Sequence, residues 1–183
     1  MTRRKRMRRQ SILILLLILP VVFCSHCGDK SNTKQTVTAI LKNYPVNTMD
    51  QVIEGDHVSL DEFVSSDGGG SLRIDVRGDK SVRIYEVEDL NLSNAVLVYQ
   101  ARLKTKDLKG RTYLEMWCKF KDGGEFFSRD IPHAIGGTKN WSQFETPFFI
   151  KSKTLEMAKL NLVVEGTGTV WIDDIKLIKR GLP

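Results

Sequence analysis

Cysteine is scarce in this sequence, with three among 183 residues. Cys24 and Cys27 follow an N-terminal apolar stretch, so Cys118 stands alone in the body of the chain. A lone cysteine excludes a disulfide within that body, and one Cys-x-x-Cys without a second pair is weak evidence for metal or redox chemistry. Cys118 lies in an alternating apolar run, which predicts a small buried residue rather than a reactive thiol.

Histidine and catalytic motifs are also sparse. The three histidines, His26, His57 and His133, are far apart in the sequence and do not indicate a set of metal ligands. There is no Gly-x-Ser-x-Gly motif, and Gly68-Gly-Gly-Ser71 lacks the Gly-Lys-Ser/Thr of a phosphate-binding loop. The protein is therefore predicted not to be an enzyme.

A charge excess is missing from the body of the chain. The net charge of +6 comes from six basic residues at the N-terminus, and no acidic residue precedes Asp29. Those six are Arg3, Arg4, Lys5, Arg6, Arg8 and Arg9. Without them the 28 Lys and Arg become 22, which equals the 22 Asp and Glu. Nucleic acid is not an expected partner, because its binding needs a basic surface.

The N-terminus has the layout of an export signal: basic residues, the apolar run Ile12 to Phe23, and then Cys24. The run is shorter than the ~20 apolar residues of a spanning helix. Its end resembles a bacterial lipoprotein signal, which implies lipidation of Cys24, although Phe23 replaces the usual small residue. Ordinary cleavage and an uncleaved anchor are the alternatives. We expect residues 1–28 to be this signal, residues 29–44 a polar tether, and the protein to be membrane-anchored, periplasmic or extracellular in a bacterial envelope.

Long helical patterns are absent after residue 44. Short alternating or apolar runs recur between turn signals, as is typical of an all-β sandwich. The predicted strands are Gln51 to Ile53, His57 to Phe63, Ser71 to Arg77, Ser81 to Val87, Ala95 to Lys104, Thr112 to Lys121, Glu125 to Ile131, Trp141 to Ile150, Lys159 to Glu165 and Thr169 to Lys179. Gly110 and Gly166 are predicted to lie in turns between separate strands. Residues 45–183 are predicted to form one domain.

Three stretches carry a resemblance to a known fold. They are Leu103-Lys-Thr-Lys-Asp-Leu-Lys-Gly110, Gly136-Gly-Thr-Lys-Asn-Trp141 and Gly166-Thr-Gly-Thr-Val-Trp-Ile-Asp-Asp-Ile-Lys-Leu-Ile-Lys179. In this order they resemble the closing half of a galactose-binding-like domain, over roughly residues 50–179. The resemblance implies an all-β jelly-roll β-sandwich of two antiparallel sheets, a fold shared by many non-catalytic carbohydrate-binding modules. It also assigns packing roles to Trp141 and Trp171.

Alternation along the predicted strands separates a core side from an outer side. The predicted core residues are Leu72, Ile74, Val76, Leu97, Tyr99, Ala101, Leu103, Leu114, Met116, Cys118, Phe120, Leu160, Leu162 and Val164. Val98 is predicted to lie outside. Seven other outward side chains are predicted to share one face: Arg73, Gln100, Arg102, Tyr113, Glu115, Trp117 and Asn161.

This mixed face suggests carbohydrate as the ligand. A sugar ring lays its C–H side on an aromatic ring, and its hydroxyls need fixed polar partners. We predict Trp117 and Tyr113 as platforms, with Gln100, Arg102 and Glu115 as hydrogen-bonding partners. The alternative is a structural or protein-interaction module of the cell envelope, in which other segments cover this face. The expected partners are a glycan or an envelope protein, and the membrane through the N-terminus.

Asp173 and Asp174 are adjacent carboxylates in an otherwise apolar strand, where a carboxylate needs a partner. Neighbouring strand residues point to opposite faces, so this pair cannot flank one glycosidic bond as acid and base. The resemblance implies a structural calcium ion held by Asp173 and Glu54, with carbonyl or water oxygens completing the shell. The alternative is that Asp173 accepts hydrogen bonds from turn amides.

Overall fold

The computed structural model describes residues 38–54 and 57–183. Their strands are β1 (Ala39–Tyr44), β2 (Val58–Asp61), β3 (Ser71–Arg77), β4 (Lys80–Val87), β5 (Ala95–Phe120), β6 (Glu125–Arg129), β7 (Ile135–Ile150) and β8 (Leu155–Gly181), with a 3-10 helix at Ile131–His133. None of the helices in these ranges has the length and apolar character needed to cross a membrane. The predicted export signal, with Cys24, and tether residues 29–37 lie outside the described residues.

Two long strands organise the domain, and the predicted all-β class is confirmed. β5 and β8 pair antiparallel along their whole length, from Ala95 opposite Gly181 to Phe120 opposite Leu155. β6 and β7 pair with the other edge of β5, while β1, β3 and β4 pair with the other edge of β8. β2 extends the array from β3. Hydrogen bonding therefore forms one open antiparallel network.

Two tyrosine rings show that this network folds over on itself. Tyr44 of β1 pairs with Ile175 of β8, and Tyr85 of β4 pairs with Leu160 of the same strand. A straight strand would hold those two β8 positions roughly 50 Å apart, at about 3.3 Å per residue. The two tyrosine rings nevertheless stack with centroids 3.8 Å apart. β8 and its partner β5 must therefore bend back over the core.

The fold-over makes two layers from the same two strands. The first layer holds residues 95–106 of β5 and 169–181 of β8, together with β1, β2, β3 and most of β7. The second layer holds residues 110–120 of β5 and 155–166 of β8, with β4 and β6. Side chains of both layers meet in one apolar core. The predicted sandwich is confirmed, with its two sheets continuous through β5 and β8.

The predicted turns at Gly110 and Gly166 are wrong, because β5 and β8 continue through both glycines. Their pairing shifts register between Lys106 and Lys109, and Gly110 lies opposite Gly166 with φ values of 130° and 114°. A Cβ on either glycine would lie 1.9 Å from a carbonyl oxygen of the facing strand. The two glycines thus allow the close approach at which both strands pass between layers.

The predicted core residues are buried, so alternation assigned the inward sides correctly. Val98 is an exception: it is fully buried on the outer side of the first layer, where Val96, Ile178 and Leu182 cover it. Cys118 is also fully buried, and burial, with a smaller contribution from Glu125, raises the pKa of its thiol to about 12. The prediction of a small buried residue is confirmed.

The folded domain begins before residue 45. Residues 39–44, which the sequence analysis assigned to the tether, form β1 and pair with β8. Leu41 and Tyr44 pack against the core, but the other β1 side chains are exposed, so the segment gives little apolar signal by itself. The strand predicted at Gln51 to Ile53 is absent; Ile53 only donates one backbone hydrogen bond to Ile84, at 3.0 Å.

Candidate functional site

The outer side of the second layer carries an open depression of about 390 Å³. β4, β8, β5 and β6 lie side by side there, and alternation turns every second side chain of each strand outward. The lining residues are Ser81, Arg83, Glu115, Trp117, Glu125, Arg129, Lys159, Asn161 and Val163. This surface is termed the Trp117 depression.

Glu115 is the centre of its polar floor. The residue is 3% exposed, and it pairs with Asn161 on one neighbouring strand and Arg129 on the other. Its carboxylate accepts hydrogen bonds from Asn161 Nδ2 at 3.0 Å and from Arg129 Nε at 2.5 Å. Trp117 Nε1 donates a third, at 2.8 Å. These donors stabilise the buried charge and, in return, the carboxylate fixes the indole ring.

Trp117 and Phe127 form an aromatic corner at one side of the depression. The ring centroids are 5.0 Å apart and the planes are tilted by 49°. Phe127 is 49% exposed and Trp117 is half-buried, so ring surface remains open to solvent. The Arg129 guanidinium lies 4.3 Å from the Phe127 centroid, a cation–π contact that helps to hold the Phe127 ring in place.

The charges around the depression are paired. Lys159 Nζ lies 2.6 Å from Glu125, Arg83 Nη1 lies 2.7 Å from Glu86, and Arg129 binds Glu115. Three cations therefore each have a carboxylate partner. The surface offers directional hydrogen-bonding groups without a large net field, which suits a neutral ligand better than a polyanion.

Tyr113 lies on the same outer side but does not line the depression. It is 5% exposed, and its hydroxyl donates to Glu165 at 2.9 Å. Burial and this hydrogen bond raise the pKa of the Tyr113 phenol. The Arg111 guanidinium lies 5.8 Å from the Tyr113 ring. The predicted role as a platform therefore does not fit the position of its ring.

Gln100 and Arg102 are placed away from the Trp117 depression. Both belong to the first layer, where Gln100 Nε2 donates to Glu145 at 3.4 Å and Arg102 lies 3.9 Å from Asp174. The single outer face predicted from alternation is in fact two faces, because β5 passes from one layer to the other between these residues and Trp117. Arg73, predicted on the same face, also belongs to the first layer.

Asp173 anchors the loop between β2 and β3. It is fully buried, its Oδ2 accepts from Ser66 N at 2.7 Å, and its Oδ1 accepts from Asp174 N at 2.7 Å. Glu54 lies along β4, where its Oε2 accepts from Arg83 N at 3.2 Å. Residues 38–54 and 57–183 contain no group of three or more His, Cys, Asp or Glu placed as metal ligands. Calcium binding by Glu54 and Asp173 stays a prediction that these contacts do not support.

Removing the Asp173 carboxylate is expected to destabilise the fold. In Asp173→Ala, the amide of Ser66 loses a charge-assisted acceptor, which costs ~2 kcal/mol and lowers Tm by ~4–8 °C. Calorimetry with and without EGTA measures this, and the Tm of the parent is expected to be the same in both. Asp174→Asn, at a partly exposed carboxylate paired with Lys176, is the control and should shift Tm by ~2 °C or less. A parent Tm that falls in EGTA would contradict this account.

Sequence reasoning missed four residues of this site: Arg83, Arg129 and Lys159, which line the depression, and Phe127, which contacts the Trp117 ring. All four lie in strands that were predicted, and alternation alone would place Phe127 and Arg129 on one side of β6. What was missing is the order of the strands. Only the pairing of β4 and β6 with β8 and β5 brings these side chains beside Glu115 and Trp117.

Comparison of the sequence with family profiles and with curated proteins gives no match. Comparison of the fold with solved structures gives many. A protein described as Family 16 Carbohydrate Binding Module-2 has a TM-score of 0.55 at 14% identity, over 72% of this chain and 92% of its own. The CBM22-1 xylan-binding domain from Paenibacillus barcinonensis Xyn10C has a TM-score of 0.56 at 13% identity, over 79% of this chain and 97% of the domain.

A third similar structure is the C-terminal family 22 carbohydrate binding module of Clostridium thermocellum Xyn10B. Its TM-score is 0.50 at 14% identity, over 75% of this chain and 92% of the module. Identities this low show a shared fold and leave the ligand open. The chain therefore has the β-sandwich fold of carbohydrate-binding modules. Any ligand has to be inferred from the side chains of the Trp117 depression.

Proposed function

We propose that this protein is a non-catalytic carbohydrate-binding module and that the glycan binds in the Trp117 depression. The observation that carries the proposal is the half-buried Trp117 ring, which keeps some surface open to solvent and is fixed by Glu115 beside a polar floor. The fold shared with carbohydrate-binding modules supports the same class of ligand.

The chemistry of the depression matches that of a sugar. The open ring surface of Trp117 and Phe127 can accept the C–H side of a pyranose, while Asn161, Arg83 and Lys159 lie within the same depression for its hydroxyls. One ring covering ~100 Å² of sugar gives ~2.5 kcal/mol before the cost of association. Several sugar units or added hydrogen bonds are needed, so we expect dissociation constants of roughly 10 μM to 1 mM.

A binding screen tests the proposal. The protein is applied to a glycan array and to insoluble polysaccharides, including xylan because the similar Paenibacillus barcinonensis module is a xylan-binding domain. Saturable binding to at least one glycan is the expected result. Absence of binding across the panel, from a sample with a cooperative unfolding transition, would contradict the proposal.

A protein-interaction module is the second candidate, favoured by one exposed aromatic residue. Phe63 is 96% exposed in the loop between β2 and β3, and Asp61 Oδ1 accepts from the amides of Phe63 and Val64 at 3.1 and 3.0 Å. Burial raises the pKa of Asp61, but hydrogen bonds from Trp171 and these amides outweigh it and lower that pKa. An exposed aromatic ring on a loop whose backbone is held by hydrogen bonds is a typical protein contact. Under this reading, no glycan binds and Phe63→Ser abolishes binding to a protein partner.

Export and attachment to a bacterial envelope belong to the same proposal. They rest on the basic and apolar order of residues 1–28 and on Cys24, all outside the described residues. The intact mass of the mature protein distinguishes a lipidated Cys24 from simple cleavage or an uncleaved signal.

A further inference from the structure

The floor of the Trp117 depression contains one donor and one acceptor that have no hydrogen-bond partner among the described residues. Asn161 is 6% exposed, and its Nδ2 donates to Glu115, but its Oδ1 is buried without a partner. Arg83 Nε is buried in the same way, although Nη1 of that side chain donates to Glu86. Because so few buried polar atoms lack partners in folded proteins, two of them in one depression point to a ligand.

These two atoms come from neighbouring positions. Arg83 of β4 and Asn161 of β8 are directly paired across the two strands, which places their Cβ atoms ~5 Å apart on the same face. A hydroxyl group can satisfy both at once, since it donates one hydrogen bond and accepts others. A carboxylate or sulfate cannot, because it has no proton to give Asn161 Oδ1. The Glu115 carboxylate, 3.0 Å from Asn161 Nδ2, would also repel an anion.

We propose that Arg83 and Asn161 form a subsite for one glycan hydroxyl, which donates to Asn161 Oδ1 and accepts from Arg83 Nε. The subsite makes the module selective for neutral glycans over those that carry a carboxylate on the ring at this position. The inference rests on the proposed function, since it names the ligand class of the same depression. Arg83, with 34% of its side chain exposed and its far end on Glu86, is the side chain that shifts to admit the hydroxyl.

The test measures affinity and stability together on the full chain. Isothermal titration and affinity electrophoresis use three neutral polysaccharides (xylan, β-1,4-galactan and mixed-linkage β-glucan) and two uronans (polygalacturonate and alginate). Binding is expected among the neutral polymers only. Arg83→Lys keeps a cation for Glu86 but has no Nε–H, so its affinity should fall ~10-fold. Its Tm should stay level or rise, because a buried donor without a partner is removed.

Two further variants complete the design. Asn161→Ala should also weaken binding by ~10-fold. The double variant with Arg83→Lys should lose less than ~100-fold in affinity, because both side chains bind the same hydroxyl. Arg111→Lys changes an arginine of the same layer outside the depression and should leave affinity unchanged.

The outcomes separate this subsite from the proposed function. Unchanged affinity in both Arg83→Lys and Asn161→Ala, or equal affinity for uronans and neutral polymers, would overturn the subsite and leave carbohydrate binding intact. A fall in affinity matched by a fall in the Tm of Arg83→Lys would show a structural role and overturn it as well. No binding to any polymer would overturn both.

Discussion

Trp117→Ala is expected to reduce glycan affinity by at least ~70-fold, to the limit of detection for most polymers. The substitution removes the ring that covers ~100 Å² of sugar, and this burial is worth ~2.5 kcal/mol. It also removes the contact between the Trp117 and Phe127 rings. It also removes one of the three donors to Glu115. Titration against the tightest polymer found in the screen measures the loss, and Trp117→Phe, which keeps an aromatic surface, should recover part of it.

The control for this prediction is another half-buried tryptophan. Trp141 is half-buried on β7, away from the residues that line the depression, so Trp141→Ala should bind as the parent does. Because Trp117 is partly exposed, its replacement should lower Tm by only a few degrees. If Trp117→Ala and the parent bound glycan with equal affinity, the Trp117 depression would be ruled out as the binding site.

Gly110→Ala is expected to cost at least ~4 kcal/mol of folding free energy and to leave little folded protein at 37 °C. Its new Cβ would lie 1.9 Å from the Glu165 carbonyl oxygen, in a backbone with a φ of 130° that alanine rarely adopts. Relief of that contact would require β5 and β8 to separate where they pass between the layers. Chemical denaturation followed by circular dichroism measures the change.

Gly78→Ala is the matched control for Gly110→Ala. Gly78 lies in the turn between β3 and β4, with no atom within 4 Å of the position of a new Cβ. Its φ is not in the left-handed region, so alanine should change stability by less than ~1 kcal/mol in either direction. A Gly110→Ala protein as stable as Gly78→Ala would show that the close approach of the two strands is not required.

Much of the fold could be predicted from local pattern. Alternation in the run from Leu114 to Phe120 identified the inward side chains because a strand has a side-chain period of two, whatever its partners are. Asp173 was recognised as a carboxylate in need of partners because burial penalises a bare charge anywhere. One donor, the amide of Asp174, is the next residue. The other, Ser66, could not be identified from the sequence, since it is 107 positions away.

The candidate site was predicted only in part. Trp117 and Glu115 share the outer face of one strand, and alternation is sufficient to put them together. Gln100 and Arg102 show the same alternation, yet they lie in the other layer. A periodic pattern records which side of a strand faces the core; it does not record that a strand bends and exchanges layers at Gly110.

The sequence by itself determined the all-β class, the core-facing side of β3 and β5, and the need for partners at Asp173, because these follow from residue chemistry and the two-residue period of a strand. Tertiary structure decided that β5 and β8 run unbroken through both layers, and that β4 and β6 flank them in the second. It thereby brought Arg83 and Arg129 to the Trp117 depression and placed Phe127 against the Trp117 ring. The physical reason is that strand order and layer exchange are set by pairing between residues distant in sequence, which no local pattern encodes.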